Sequence, residues 1–586
     1  GLWVVPALIG GAASGSSTNQ VMKFFFESAF VSLNPFTRIN GDMLSFYFGL
    51  SVFLICILGM LLAPKNTKAG FITALILLIC TTKSVYELFV KLPFSQFLWM
   101  IRFIPIGLAA AMVSFLLWKS LKKWVVLLLV ILLAADCATS YQNIYFPPEY
   151  KIDNVQANLD QRADDALITS AKAITKQRMA LMDLSEYGSF APYYITGVGK
   201  AVNYSYGAGW EGAGTASNIV NLNASVENGW YVYLFDRALE LGNDTVLIPI
   251  DNLKEKSKDV ERLVSAAKIL GYYPVNSNET SMLFHKETPE QFGVISKYQD
   301  IAIGESASGI AMIFPGFEEG SKNNINDYTY EELSKYNTIY LSGFTYRNKS
   351  ETEELLLKLA ESGVNIYIDM NRIPMDEVKK TMELFGVIAQ NISLSESFPT
   401  FTYQNNTYTS LDFLYNVGDW NTVYLLGLEQ VDGSCDMTNK LLPFLGTARN
   451  KNLHFMGLNI VYYLQTTRDA EIKKLTESIF GMQENSVPER EVVPINIQNS
   501  NHRITITSEY DQVNTTLSYI DIFHGNQPIQ TNNHLIMVNS GTTVLSIKYP
   551  HTEKGLIVTA IGLILAVLTY IAMRKVKEHE NHEEAN

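Results

Sequence analysis

The sequence predicts a polytopic α-helical membrane protein that carries a large extracytoplasmic region of α/β domains and a C-terminal β-sandwich. Three observations predict it. Apolar runs crowd the two ends of the 586-residue chain, giving a mean hydropathy of +0.07 although 18% of residues are charged. Three basic clusters, Lys65/Lys68, Lys119/Lys122/Lys123 and Arg574/Lys575/Lys577, close apolar runs, and all agree with one topology in which they face the cytoplasm. Between them, apolar runs are strand-length rather than span-length and alternate with amphipathic helical patterns.

Residues 1–139 read as a transmembrane helical region. The opening GLWVVPALIGG begins with Gly and lacks a basic leader segment, so it reads as a truncated first helix and the chain as the C-terminal part of a longer protein. A polar loop over 11–42 precedes a span over 43–63, a basic turn, and a return over 70–82. Residues 83–96 are amphipathic and are expected at the outer surface. Residues 97–136 form a hairpin about the lysine turn. Each half holds about 14–17 unbroken apolar residues against the about 20 of a full span. Trp99, Trp118 and Trp124 are expected to carry the helices into the interface. The last span lies within 554–575, where 555–573 hold no charge, and 576–586 form a charged cytoplasmic tail.

Residues 140–290 read as one α/β domain, with helical patterns over 223–241 and 255–270 and strands over 245–250 and 281–286. Residues 291–486 repeat the alternation as a second layered domain. Its strands fall at 301–303, 338–342, 364–369 and 452–457, and its helices at 350–362, 376–385 and 469–480. From 487 to 553 the character changes. RITITSEY, LSYIDIF, HLIMV and TVLSIKY alternate in period two between polar turns, as expected of a small β-sandwich set on the final span.

Charge is divided unevenly. Residues 1–139 hold ten Lys/Arg against four Asp/Glu, whereas 140–573 hold 32 against 50. So acidic an outer region argues against nucleic acid or polyanionic wall polymers as partners. Four cysteines, Cys56, Cys80, Cys137 and Cys435, make no disulfide framework, which fits a bacterial cell surface better than a eukaryotic secretory one. The eight histidines are scattered without metal-ligand spacing. His579 and His582 stand one residue short of the i, i+4 spacing of a zinc helix and lie in the charged tail. No metal and no cofactor are expected.

The runs NPFTRINGDMLSFYFGL, KLPFSQFLWMIRFIP, LFDRALELGNDTVLIP, TIYLSGFTY and GVNIYIDMNRIP together resemble a family of large bacterial membrane proteins labelled 6-pyruvoyl-tetrahydropterin synthase related. That family in turn resembles the GT-C class of polytopic glycosyltransferases. The resemblance implies transfer from a lipid-phosphate-linked sugar donor to a glycan acceptor at the outer membrane face, for cell-envelope glycan assembly. The class keeps its catalytic acid in the first outer loop, so the resemblance implies that this acid lies upstream of residue 1. The pterin label itself implies little here, because pterin synthases of that type are small soluble zinc enzymes with a histidine ligand set. The alternative is a non-enzymatic, membrane-anchored surface protein whose outer domains bind or scaffold. A pair of anchors would suffice for that task.

Candidate site residues follow. Arg102 near the outer end of a span, with Lys91 beside it in sequence, suits the donor phosphate through charge-assisted hydrogen bonds, although an arginine there also snorkels to headgroups. Glu27, Asp42 and Glu87 are outer-side acids that could assist transfer. Tyr204, Tyr206, Trp210 and Trp230 form an aromatic stretch interleaved with glycine that could stack on sugar faces, with ordinary core packing as the competing reading. Gly304-Glu305-Ser306-Ala307-Ser308-Gly309 follows a strand and reads as a glycine-bearing βα turn. Its spacing differs from the hydrolase nucleophile elbow. Membrane lipid is the remaining expected partner.

Overall fold

Pro64 and the turn over 118–122 cut the N-terminal apolar sequence into short helices, Leu50–Leu62, Lys65–Ile79, Ile104–Leu117 and Lys123–Ile144. The computed structural model describes residues 50–80, 103–144, 165–182, 195–196, 199–206, 216–250, 253, 256–375, 380–394, 400–410, 420–437, 440–484, 486–500, 502–520, 522–548 and 551–583. These fall into two compact units.

The first unit holds the four short helices and the C-terminal helix Thr552–Glu583. The short helices pack through small residues: a Cβ at Gly59 would overlap the Phe71 ring, and one at Gly107 would press on Leu78. Phe71 meets Trp118 edge-to-face at 5.7 Å. The expectation of a polytopic helical membrane region is overturned here. Among the described residues one helix is long and apolar enough to cross a membrane, Thr552–Lys575. Ser51–Leu62, Ile104–Leu117 and Lys123–Ala135 are shorter apolar helices. An apolar stretch of thirteen residues rises only about 20 Å, short of a hydrocarbon core of about 30 Å, and in the 22-residue helix Lys123–Ile144 the apolar stretch is Lys123–Ala135. Trp118, expected to lengthen its helix, is instead buried beyond the helix end, with its indole N–H donated to Ser120 Oγ at 3.0 Å. Most of the described chain is sheet-based.

The second unit contains every described strand. Its first sheet comprises β1 (Met179–Leu181), β2 (Tyr204–Tyr206), β3 (Thr245–Pro249), β4 (Tyr273–Ser277) and β5 (Ser281–His285), in the order β2-β1-β3-β5-β4. Helices Tyr231–Glu240 and Lys256–Ile269 bury Leu234, Phe235, Leu263 and Ala267 against it. The single helix expected over 223–241 is two, Ala216–Asn228 and Tyr231–Glu240. Gly229 takes φ +76° between them, a left-handed step that ends the first helix. Strand β6 (Phe292–Lys297) then leaves this domain.

The next strands are β7 (Asp300–Ile303), β8 (Phe317–Glu319), β9 (Thr338–Leu341), β10 (Asn365–Asp369), β11 (Met382–Leu384), β12 (Val387–Leu394), β13 (Thr400–Tyr403), β14 (Asn406–Thr409), β15 (Trp420–Leu426), β16 (Gln430–Met437), β17 (Lys440–Ala448) and β18 (Asn450–Met456). Nine of them form a sheet in the order β14-β13-β16-β17-β18-β10-β9-β7-β8, and β11-β12-β15 form a small separate sheet. The run β8-β7-β9-β10-β18 is parallel throughout. Its strands are buried on both faces, as parallel strands require. Ile339 and Leu341 enter one core, while Tyr340 enters the other with Tyr367 and Phe480.

The remaining strands are β19 (Glu489–Ser500), β20 (Arg503–Ser508), β21 (Val513–Ser518), β22 (Phe523–Gly525), β23 (Gln530–Asn532), β24 (Leu535–Val538) and β25 (Gly541–Ile547). The expected sandwich over 487–553 is not self-contained. Its eight-stranded sheet, ordered β22-β25-β20-β19-β6-β21-β24-β23, takes in β6 from before the middle domain. Long β19 pairs with β6 over its first half and with β20 over its second. Lys297 lies opposite Glu489.

Candidate functional site

β7 lies between β8 and β9. The chain passes from β7 through helix Ser308–Ile313 to β8 on one side, then returns to β9 on the other. Strand order reverses there, and in open parallel sheets ligands bind beyond the carboxyl ends of the strands at such a reversal. The segments following β7, β9, β10 and β18 bring Ser306, Ser342, Arg372 and Asn459, with Asp369 at the end of β10, around a cavity of about 160 Å³. A second cavity of about 700 Å³ shares Arg372 and Asn459 and reaches the small sheet through Asn391, Ser393, Asn421 and Thr422.

The loops are locked before any side chain acts. Gly304 holds φ +120°, and a Cβ there would overlap the carbonyl oxygen of Ser342. That close approach lets Ser306 N–H donate to Ser342 O at 3.1 Å and Glu305 N–H to Gly343 O at 3.2 Å. On the neighbouring strand, buried Asp369 caps the turn that follows it. Its Oδ1 accepts from the Asn371 backbone N–H at 3.0 Å and side-chain Nδ2 at 2.9 Å, and its Oδ2 from Ser342 Oγ at 2.7 Å. Burial raises the Asp369 carboxyl above its ordinary range, against the pull of these donors. Asn371 Oδ1 in turn accepts from Thr422 Oγ1 at 2.6 Å and Val423 N–H at 3.1 Å, tying this turn to β15.

Arg372 is exposed at the wall common to both cavities. Its Nη1 donates to Ser306 Oγ at 2.5 Å, and the guanidinium lies 5.6 Å from the Tyr462 ring centroid. Tyr462, 38% exposed, stacks on buried Trp420 at 6.0 Å. Amides, hydroxyls and one exposed cation line the cleft together with apolar Met382, Ile392, Val423 and Val461. Among the described residues no group of His, Cys, Asp or Glu could hold a metal ion.

Of the phosphate-binding, acid and aromatic candidates named from sequence, those among the described residues do not line the cleft. Arg102, Lys91, Glu27, Asp42, Glu87 and Trp210 lie outside the described residues. Tyr204 and Tyr206 sit on edge strand β2, away from the cleft. Trp230 is 3% exposed, donates its indole N–H to Gln465 O at 2.7 Å and has Arg468 over its ring at 4.9 Å. Its aromatic surface is spent on packing. The Gly304–Gly309 stretch is the βα turn, and its Ser306 hydroxyl faces an arginine rather than a histidine base. Sequence reasoning missed Arg372, Asn391, Asn421 and Tyr462. One signal was present: in GVNIYIDMNRIP a buried strand pattern gives way at once to Asp369-Met370-Asn371-Arg372, the place where a parallel sheet presents its ligand groups.

Comparison with known families gives three matches. Residues 165–297 match a domain of unknown function, DUF8559, and residues 299–463 match another, DUF8560. No curated protein matches the chain. The cleft residues from Ser306 to Tyr462 fall inside the second of these stretches. Residues 1–146 match the 6-pyruvoyl-tetrahydropterin synthase related domain, described as a membrane protein, and it is to that family that the N-terminal part of the chain is similar.

Proposed function

We propose that the chain is a membrane-anchored, glycan-handling protein whose cleft around Arg372 holds an acceptor glycan at the outer membrane face. In this reading the acceptor receives a sugar from a lipid-phosphate-linked donor during cell-envelope glycan assembly. The observation that carries it is the cleft: amides and hydroxyls grouped at the strand-order reversal, on a chain that matches a membrane-protein domain and carries a 24-residue stretch of helix apolar enough to cross a membrane. Sugars are recognised by such planar amides and hydroxyls, with an aromatic wall beside them. Arg102 and Lys91 take the donor phosphate, and Glu27, Asp42 or Glu87 assists the transfer.

The experiment is oligosaccharide binding to the full chain in lipid nanodiscs, followed by transfer from a lipid-linked donor. Replacing Asn391 and Asn421, both exposed on the small sheet, together with Ala should weaken binding about tenfold or more, as expected for lost neutral hydrogen bonds, with little change in melting temperature. No binding to any oligosaccharide in a broad panel would overturn the reading. Arg102→Lys should reduce transfer while leaving acceptor binding intact, because lysine cannot reproduce a bidentate contact. Binding without any transfer would favour the non-enzymatic surface protein.

A further inference from the structure

We infer that the glycan taken by this cleft carries a single anionic substituent, a carboxylate or a phosphate, seated on Arg372. The inference rests on the glycan reading above and specifies its ligand. Across both cavities the charged lining residues are Asp369 and Arg372. Asp369 is buried, and both its oxygens are taken by Ser342 and Asn371. Asp369 feels the arginine's charge without forming an ion pair with it. Arg237, Arg262, Arg347, Arg468 and Arg490 in the same unit each hold a carboxylate. Among the described residues of this unit Arg178, Arg372, Arg449 and Arg503 hold none, and of these four Arg372 lines both cavities.

Its geometry is that of a prepared donor. Ser306 fixes one nitrogen and Tyr462 stands against the guanidinium. The rest of the five-donor fork is left for a planar or tetrahedral anion. A side chain already held on two sides loses little freedom when a ligand arrives. Size divides the labour: the cavity of about 160 Å³ accepts the charged group, and the one of about 700 Å³ accepts the sugar rings. A single charge also fits the surroundings. With 50 acidic against 32 basic residues between 140 and 573, the outer region repels a polyanion at long range, whereas one anion against one arginine is a local contact.

The test uses the full chain in nanodiscs and three probes: methyl glucoside, glucuronic acid and glucose 6-phosphate, with affinities measured by saturation-transfer NMR titration. Wild type should bind at least one charged probe about tenfold more tightly than the neutral one, the gain expected of a charge-assisted contact. Whichever charged probe binds more tightly names the group. Arg372→Gln should abolish that preference, so that charged and neutral probes bind the variant with equal affinity. Arg372→Lys should keep part of it. Equal affinities for all three probes in wild type, or a preference that survives Arg372→Gln, would overturn the inference and leave the glycan reading standing. Failure of every probe and of the broad oligosaccharide panel would overturn both.

Discussion

Arg490 on β19 reaches across to helix Tyr231–Glu240 and clamps Asp236 with two bonds, Nε to Oδ1 at 2.5 Å and Nη2 to Oδ2 at 2.6 Å, while Nη1 meets Glu240 Oε1 at 2.6 Å. Arg237 holds the other Glu240 oxygen at 2.7 Å, and Asn533 Nδ2 donates to that same oxygen at 2.6 Å. Burial alone would raise the Glu240 carboxyl, but Arg490 and Arg237 draw it down to about 2. Arg490→Met should therefore cost about 3–5 kcal/mol, because it strands buried Asp236 and leaves Glu240 with Arg237 as its one arginine. Chemical denaturation of wild type and variant checks this, and a loss under about 1 kcal/mol would show the clamp to be dispensable. His454, stacked on Tyr367 at 4.5 Å, supplies a pH prediction. Burial lowers its folded pKa below 6.5, against the opposing pull of Asp432. The unfolded chain then binds the proton first, so stability is whole above about 6.5 and falls as pH drops below it. Melting temperature should decline from about pH 7.5 to about pH 5.5, and less steeply in His454→Phe. Parallel declines would assign the titration elsewhere; His534, also lowered by burial, is next in line.

At the scale of elements, the cleft depends on how tightly two loops approach. Gly304→Ala forces a Cβ into the Ser342 carbonyl at a φ that side chains avoid. The expected cost is about 1–3 kcal/mol, with oligosaccharide binding lost alongside. Retained binding would mean that the approach of the two loops is not needed for the site. The parallel strands β7, β9, β10 and β18 were legible as elements, because buried β-branched runs such as TIYL and NIYID are bounded by turn residues and polar caps, whereas the three residues of β8 were too few to show a pattern. Helices Lys349–Glu361 and Ala470–Phe480 were legible for the same reason, being capped by Asn348 and Asp469. The region from 382 to 448 was not. The helix expected over 376–385 is contradicted by β11, which turns through Phe385 and Gly386, at φ +55° and +83°, into β12. Two successive left-handed residues make a hairpin turn, and Phe-Gly does not announce one. Antiparallel strands with mixed faces, such as Val387–Leu394, carry no helical or clean alternating period. The β12–β15 register sets Asn391 opposite Val423 and Asn421 opposite Ser393, which no local pattern encodes, so the cleft stayed hidden while its individual turns were in view.

For the molecule as a whole, orientation is the testable consequence of the basic cluster that follows the apolar helix. In a background without Cys56, Cys80, Cys137 and Cys435, His524→Cys on the exposed side of β22 should react with a membrane-impermeant maleimide in intact cells. Lys577→Cys should stay protected until the cells are permeabilised. The reverse pattern would invert the orientation on which the outer-face reading depends. One feature of the sheet order reaches further. Because β6 and β19 are hydrogen-bonded neighbours, with Lys297 opposite Glu489, everything between them is an insertion whose entry and exit lie side by side. A chain in which Lys297 runs through a two-residue Asn-Gly hairpin into Glu489 would close the same ladder with the guest removed. The middle domain is thus a topological insertion, and a lineage could exchange the cleft, and with it the ligand, while keeping the host ladder, provided the new guest again covers Trp230 and Tyr233.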